Sequence, residues 1–469
     1  MTLSNRLFDE IAVGDTAATK RVVAPDDLYV FAHVSGNLNP LNLPHAPGED
    51  AEGQNVAPSM WIGSLFSSVL GNLLPGPGTV YEAQSLRFHA RAEVGDELAV
   101  KVEVIERRAP RTIVLATRIE RAGTLIADGV AEVRAPEERR VVADVALPGL
   151  TVSRHRNMAR MLDACAGLDA MPTAVVAPEE ENALLGALAG GRERLIVPIL
   201  IGDEAKIREI AKAHGADLSG VAIENVESHD KAAARAVELV GLGQARAVMK
   251  GHLHSDELLR HVVKSQGGLR TSRRVSHVFV MDAPTLPNLL LVTDAAINIA
   301  PTLEEKVDIV QNAIDLGRAL GLAKPKVGVL SAVELVNPKI QSTLDAAALS
   351  KMSERGQITG GVVDGPLAMD NAISISAART KGLTSLVAGR ADILVAPNLE
   401  SGNILAKELT YAAQAEGAGL VLGARAPVML TSRADDEGSR LFSCAVAVLY
   451  AHWLQTGESA VAATEGKTP

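Results

Sequence analysis

The hydrophobic rhythm of this chain changes once, between about residues 138 and 160, and no single core accommodates both halves. Before the change, apolar residues recur at every second position. Glu97-Leu98-Ala99-Val100-Lys101-Val102-Glu103-Val104 alternates as a strand with one buried face should. Further strands are expected at 111–121 and 124–134, and the turns Ala109-Pro110 and Ala122-Gly123 set them at hairpin distance, as in an antiparallel meander. One helix interrupts them. In SMWIGSLFSSVLGNLLPGPG, Ile62, Leu65, Phe66, Val69, Leu70 and Leu73 fall at helical spacing, and Pro75-Gly76-Pro77-Gly78 stops the run. The helix carries no charge, so it must be enclosed, and a curved sheet is the available wrapper.

After the change, strand-like runs at 195–202, 221–226, 246–250, 275–281, 288–293, 326–331, 391–396 and 426–431 alternate with helical runs such as 203–214, 230–242, 302–320 and 402–416. That is the pattern of βαβ units and a mostly parallel sheet. The expected division is residues 1–136, a polar linker at 137–154, a second domain at 155–456 and a frayed tail at 457–469. A length of 469 residues agrees with more than one folding unit.

Composition narrows the function. A net charge of −10 argues against nucleic acid as a partner, because phosphate backbones are bound by clustered Lys and Arg. Nowhere do about 18 consecutive apolar residues run unbroken, and the first residues lack a basic segment followed by an apolar one, so a cytoplasmic protein without a membrane partner is expected. Cys165 and Cys444 have no CxxC spacing and read as buried thiols.

In open α/β sheets, ligands meet the carboxyl ends of strands. The residues expected there are polar: Lys250-Gly251-His252, Met281-Asp282, Thr293-Asp294, Ser331-Ala332, Asp364-Gly365-Pro366, Asn398-Leu399-Glu400 and Thr431-Ser432-Arg433. Seven such clusters on one edge would form a cleft, although loops are polar in any case. Two stand out. Lys250 to Arg260 leaves a strand and opens a helix, whose free N–H groups, with Ser255 and Arg260, suit a phosphate. His252 and His254 lack a third ligand, so no metal is expected. In Thr431-Ser432-Arg433-Ala434-Asp435-Asp436, Arg433 could hold a phosphate by two parallel hydrogen bonds, Ser432 could bond a reacting oxygen or thiol, and a carboxylate could act as base. The plainer alternative is a capping loop in which Arg433 pairs with Asp435 or Asp436.

KGHLHSDELLR, RVSHVFVMD, TDAAINIAPTLEEK, VNPKIQSTLDAAALSKM, GQITGGVVDGPLAMDNAIS, ADILVAPNLESGNILAKEL and LTSRADD, in this order, resemble the phosphate acetyl/butyryltransferase family over roughly residues 155–455. The resemblance implies a two-lobed, three-layer α/β domain with a mostly parallel sheet. It also implies conversion of acyl-CoA and phosphate to acyl phosphate and CoA, with neither a metal nor a permanently bound cofactor. By motif, Ser255 and Arg260 would bind phosphate, and Ser432 and Arg433 would hold the acyl carbonyl or the CoA thiol. Lys250, Asp294 and Asn403 are further candidate substrate contacts. The family's base aspartate stands seven residues after the serine, where this chain has Ser439; Asp435 is the candidate replacement.

Residues 1 to about 136 resemble the MaoC-like hot-dog hydratases, an α+β fold, through LPGPGTVYEAQSLRFHARAEVGDEL. The fusion resembles chains described as bifunctional enoyl-CoA hydratase/phosphate acetyltransferases. Where those hydratases carry the Asp and His of a turn resembling SGDxNPxH, this chain has Asn37 and Asn42 in SGNLNPLN, and Pro58-Ser59 replaces a His-Gly pair. An amide neither takes nor gives a proton near neutral pH, so the pattern Asn37, Asn42, Ser59 reads as a degenerate hydratase site. A working hydratase would need His33, His45 or Glu52 instead, and a third possibility is an acyl-CoA-binding scaffold without turnover. A homo-oligomer formed through both domains is expected from family habit.

Overall fold

The computed structural model describes residues 2–43, 56–143, 150, 152, 156–431 and 435–461. The chain divides into two compact units, Met1–Val152 and Ser153–Pro469.

The first unit contains β1 (Leu3–Ser4), β2 (Thr16–Val22), α1 (Pro25–Ser35), α2 (Ser59–Asn72), β3 (Val80–Phe88), β4 (Glu97–Arg108), β5 (Thr112–Arg121), β6 (Thr124–Arg134) and β7 (Val141–Val142). Five strands form an antiparallel sheet in the order β2-β4-β5-β6-β3. Alternation in β4 places Leu98, Val100, Val102 and Val104 inside, against Trp61, Ile62, Phe66, Val69 and Leu70 of α2. A curved sheet around one long apolar helix is the hot-dog arrangement. The segment expected to be linker begins inside this unit: Val141 and Val142 pair with Ser4 and Leu3, and the Asn5 side chain donates to the Glu138 carbonyl and accepts from the Arg140 N–H. Both residues of β7 expose their side chains, so neither period marked it.

The second unit follows as α3 (Arg156–Cys165), β8 (Met171–Val176), α4 (Glu181–Arg192), β9 (Ile196–Gly202), α5 (Glu204–Ala213), β10 (Ala222–Asn225), α6 (His229–Gly241), β11 (Ala247–Lys250), α7 (Ser255–Val262), β12 (Ser276–Asp282), β13 (Leu290–Thr293), α8 (Leu303–Ala319), β14 (Lys326–Leu330), α9 (Gln341–Glu354), β15 (Val362–Leu367), α10 (Met369–Ile373), α11 (Ile375–Thr380), β16 (Ile393–Val395), α12 (Leu399–Tyr411), β17 (Glu416–Leu422), β18 (Val428–Met429) and α13 (Glu437–Thr456). Eleven strands form one sheet, β10-β9-β8-β11-β18-β17-β12-β13-β16-β14-β15. The sheet is parallel at both ends, but β18-β17, β17-β12 and β12-β13 are antiparallel.

That central reversal corrects the expectation of a single polar edge. The carboxyl ends of β11, β12 and β18, at Lys250, Asp282 and Thr431, share one edge. Those of β13, β14 and β16, at Asp294, Ser331 and Asn398, lie on the opposite one, while Asp364, expected after a strand, lies within β15, which runs on to Leu367.

Successive residues of β8 enter different cores, Met171 and Val175 with α4 and α13, Ala174 and Val176 with α6, so the sheet is buried on both faces. The run read as helix to 416 ends at Tyr411, and Glu416 opens a strand, because the small residues of EGAGLVL hide its pattern. The expected tail is anchored at its start: Ser459 donates to the Ala319 carbonyl at 2.8 Å and Val461 is buried. Cys165 and Cys444 are free buried thiols, each pushed up to about 12 by burial. No described helix is long and apolar enough to cross a membrane.

The two tryptophans divide between the units, Trp61 in α2 and Trp453 in α13, so each core has its own reporter. Phe66 is fully buried. In a Trp453→Phe background, Phe66→Ala should destabilise the unit that Trp61 reports by about 3–5 kcal/mol, read from urea denaturation.

Candidate active site

The edge formed by the carboxyl ends of β8, β9, β10, β11 and β18 is built on a close approach of two chain segments. After β11 the backbone of Gly251 and His252 donates to the Val176 and Ala177 carbonyls at 2.8 and 2.7 Å. A side chain at Gly251 would put its Cβ 2.4 Å from both oxygens, so only glycine allows the contact. The loop carrying Lys250, His252 and Ser255 is thereby fixed against the end of β8.

Arg440, on the first turn of α13, fixes the other side. It is 1% exposed; Nη1 donates to Thr431 Oγ1 at 2.9 Å and to the Lys250 carbonyl at 3.4 Å, and Nε donates to the Asp435 carbonyl at 3.4 Å. Thr431 Oγ1 donates in turn to the Lys250 carbonyl at 3.3 Å. Burial lowers the Arg440 pKa, while Asp435 and Glu180 favour its charge. Lys250 is also buried, with Nζ 3.4 Å from the Gly251 carbonyl. Lys250, Thr431, Asp435 and Arg440 therefore form one connected group. Ser432 and Arg433, the central residues of the sequence reading, lie outside the described residues.

Ser439, at the position of the family's base, donates to Glu416 Oε2 at 3.2 Å, while its N–H caps onto Asp436 Oδ1 at 2.9 Å. Glu416 is a carboxylate that sequence reasoning missed, since it was assigned to the end of a helix. Arg440 was missed too, because helical periodicity gave no reason to expect a guanidinium facing the interior.

Ser255 and Arg260 are not brought to one helix start. Ser255 is the first residue of α7, and Arg260, five positions later, lies about 140° around the helix from it. Arg260 instead faces α6, with Nη2 3.4 Å from Asp230 Oδ1. At the start of α6, His229 Nε2 donates to Glu179 at 3.3 Å, and Glu179 also accepts from the Asp203 N–H at 3.0 Å and Lys206 Nζ at 3.1 Å. Burial raises the Glu179 pKa, but these donors outweigh it and hold the carboxyl below its usual range. The His229 and His252 rings meet edge-on at 6.5 Å. Among the described residues no group of three or more His, Cys, Asp or Glu could hold a metal ion.

Asp294 and Asn403, expected as substrate contacts, are occupied structurally on the opposite edge. Asp294 is 2% exposed and accepts from the backbone of Ala296 and Ile297, each at 2.9 Å, and from Asn298 Nδ2 at 2.5 Å. Asn403 Nδ2 donates to the Ala295 carbonyl at 3.1 Å. Together they shape the 294–298 loop.

In the first unit, α1 ends at Gly36 in the left-handed conformation, as the Ser35-Gly36 turn requires. The structure brings Asn37 and Asn42 together. Asn37 Nδ2 donates to Asn42 Oδ1 at 3.4 Å, Asn42 Nδ2 to the Val56 carbonyl at 2.9 Å, and Asn37 Oδ1 accepts from the Asn39 N–H at 3.1 Å. Ser59 is exposed at the first position of α2. His33 is exposed, and His45 and Glu52 fall outside the described residues.

Anchored strand-end loops on a largely parallel sheet are the arrangement of an α/β enzyme whose substrates meet the sheet's edge, here following a hot-dog unit. Residues 229–448 match the family model described as phosphate acetyl/butaryl transferase. The chain is similar to a phosphate acetyltransferase of Rhizobium meliloti, 58% identical over 279 residues, which cover 60% of this chain and 88% of that one. Among solved structures it is similar to a branched-chain phosphotransacylase from Enterococcus faecalis V583, 30% identical with a TM-score of 0.53, over 60% of this chain and 99% of that one. It is also similar to R-hydratase PhaJ1 from Pseudomonas aeruginosa, 36% identical with a TM-score of 0.31, over 32% of this chain and 99% of that one. The chain belongs to the phosphate acetyl/butyryltransferase family.

One buried group makes the second unit sensitive to acid. His277, beside the Asp294 loop, is wholly buried, and burial lowers its pKa to about 4 although the Asp294 carboxylate opposes the shift. Unfolded, it protonates near its ordinary value of about 6.5. Between these values the unfolded chain holds the extra proton, so stability is intact above pH 6.5 and falls by about 3 kcal/mol as the pH drops to 4. His277→Leu should flatten that part of the stability-versus-pH curve in urea denaturation; an unchanged slope would assign the acid sensitivity to other groups.

Proposed function

We propose that the second unit converts acyl-CoA and phosphate reversibly to acyl phosphate and CoA, and that the first unit no longer hydrates enoyl-CoA. The transferase reading is carried by the 58% identity to the phosphate acetyltransferase of Rhizobium meliloti across 88% of that protein. The connected Lys250, Thr431, Asp435 and Arg440 group at the start of the TSRADD loop supports it. In the forward direction a phosphate oxygen attacks the thioester carbonyl carbon, forming a carbon–oxygen bond. The carbon–sulfur bond then breaks, and its electron pair leaves with the CoA sulfur as thiolate. Arg433 and Ser432 stabilise the charge on the carbonyl oxygen and the departing sulfur, and Arg260 holds the phosphate. In reverse, the CoA thiol, whose pKa is ordinarily about 8.5, gives its proton to Asp435 before attacking the acyl phosphate. Both substrates react while held together, so no acyl-enzyme is required. CoA, acyl-CoA and phosphate are substrates, and no resident cofactor takes part. The first unit then serves acyl-CoA binding or assembly. The outer edge of β3, which pairs with no strand among the described residues and exposes Val80, Tyr81 and Phe88, supports a homo-oligomer joined partly through that unit.

The purified chain should release free thiol from acetyl-CoA or butyryl-CoA only when phosphate is present, with acyl phosphate as co-product. Arg433→Ala should lower kcat about 10- to 150-fold, the equivalent of a charged hydrogen bond of about 1.5–3 kcal/mol. No phosphate-dependent thiol release with either thioester would refute the transferase reading, and a change below twofold in the variant would leave Arg433 as a loop-capping residue.

The silence of the first unit rests on the Asn37–Asn42 pair. A general acid and a general base each contribute about 100- to 10,000-fold, so their replacement by amides should leave hydration of crotonyl-CoA at background. Robust hydration by the purified chain, abolished by Asn37→Ala, would show that the pair works in some other way.

A further inference from the structure

We propose that Arg440 is a positioning residue for acyl transfer: its charged side chain holds Asp435 and the ends of β11 and β18 in one arrangement, on which turnover depends more than substrate binding does. The inference rests on the reading of Asp435 as the proton acceptor and adds to it a residue that touches no substrate.

Three chain segments meet at this side chain. The β11–β18 ladder ends at Met249 and Met429, so Lys250 and Thr431 run on past the last paired residues. There Arg440 Nη1 donates to Thr431 Oγ1 at 2.9 Å and to the Lys250 carbonyl at 3.4 Å, while Nε donates to the Asp435 carbonyl at 3.4 Å. Arg440 is the fourth residue of α13, and its own N–H bonds the Asp436 carbonyl at 3.2 Å. The side chain thus reaches back over the first turn of its helix to the residue before the cap, and across to the ends of two strands. Asp436 caps α13 by accepting from the Ser439 N–H, so Asp435 leads into a fixed helix start.

Bulk alone does not call for an arginine here, since an apolar side chain would fill the space without the cost of burying a charge. The charge is flanked by carboxylates, Asp435 from the turn and Glu180 from the start of α4, and both favour it. Other charged groups near the turn are Lys250 at the end of β11, Glu416 of β17, which accepts from the Ser439 hydroxyl, Asp436, and Glu437, which pairs with Arg192. Without the guanidinium, Asp435 loses a backbone bond and a counter-charge together. A displacement of about 1 Å in a reacting group lowers a rate roughly 100-fold. Substrate affinity is affected less, because Arg440 is buried and its bonds go to protein groups.

The test uses the full chain with Arg440→Met, which keeps length without donors, and Arg440→Lys, which keeps the charge. Initial rates of acetyl-CoA formation from acetyl phosphate and CoA are measured below the onset of thermal unfolding of each variant. Relative to the unaltered chain, kcat should fall about 10- to 100-fold with Met and less than about fivefold with Lys, while KM for CoA and for acetyl phosphate changes less than about threefold in both. Thr431→Val breaks the same connection from the strand side and should also lower kcat, and combining it with Arg440→Met should cost much less than the product of the two losses. A folded Arg440→Met with kcat within about threefold of the unaltered chain, a Lys variant no better than Met, or a raised KM with kcat unchanged would overturn the proposal. Should Arg440→Met fail to fold, Thr431→Val decides, and kcat within about twofold of the unaltered chain would overturn it. Asp435→Asn separates the underlying reading: unchanged kcat there would refute Asp435 as proton acceptor and the proposal with it. A large loss in Asp435→Asn with none in Arg440→Met would leave that reading standing and overturn the role of Arg440.

Discussion

The reversal of strand direction at β17, β12 and β13 is the constraint on which the placement of every functional loop depends. A uniformly parallel sheet would align all its carboxyl ends. Here three antiparallel pairings at the centre send the loops after β13, β14, β15 and β16 to the edge opposite those after β8, β9, β10, β11 and β18. Cationic and hydroxyl side chains at Lys250, Thr431 and Arg440 gather on one edge. The loop after β13 on the other edge is spent on its own architecture, as the bonds around Asp294 show.

The first of these edges is held by a charge removed from water. A buried guanidinium is costly unless its donors are paired, and Arg440 places them on one hydroxyl and two backbone carbonyls. Its methylenes lie against α4, where a Cβ at Gly186 would come within 2.4 Å of Arg440 Cδ. What this arrangement supplies is position. It ties the end of β11, the end of β18 and the start of α13 into one body, so the TSRADD loop leaves from an anchored residue, Thr431, and returns to another, Arg440. Catalysis by placed charges needs that preorganisation more than it needs net stability.

Legibility from sequence followed the strength of each periodic signal. The enclosed helix at Ser59–Asn72 and the strand at Glu97 stood out because one face of each is consistently apolar. β17 was lost because its glycines and alanine blunt the pattern, and β7 because two exposed residues carry no period. Strand direction cannot be read from any segment by itself, since pairing is a property of two segments. That is why the candidate clusters were found one by one but placed on a single edge. Ser255 and Arg260 illustrate the same limit at shorter range: adjacency in a motif suggested one anion site, whereas five positions on a helix point the two side chains apart. Arg440 and Glu416 gave no signal at all. Their significance lies in what other elements place beside them.

On the proposed silence of the first unit, a catalytic loop loses its chemistry without losing its fold. A carboxylate and an imidazole serve hydration because they exchange protons, and both are awkward to bury unpaired. Asn37 and Asn42 satisfy each other, the Val56 carbonyl and the Asn39 N–H with neutral donors and acceptors. The amides therefore satisfy the loop's hydrogen bonds without a titratable group. Selection for binding or assembly would retain such a loop, and selection for hydration would not. The hot-dog core itself, the sheet around α2, is built from apolar residues on which the substitutions at Asn37 and Asn42 make no demand. Fold and chemistry are thus held by different residues in this unit, and either can change while the other stays.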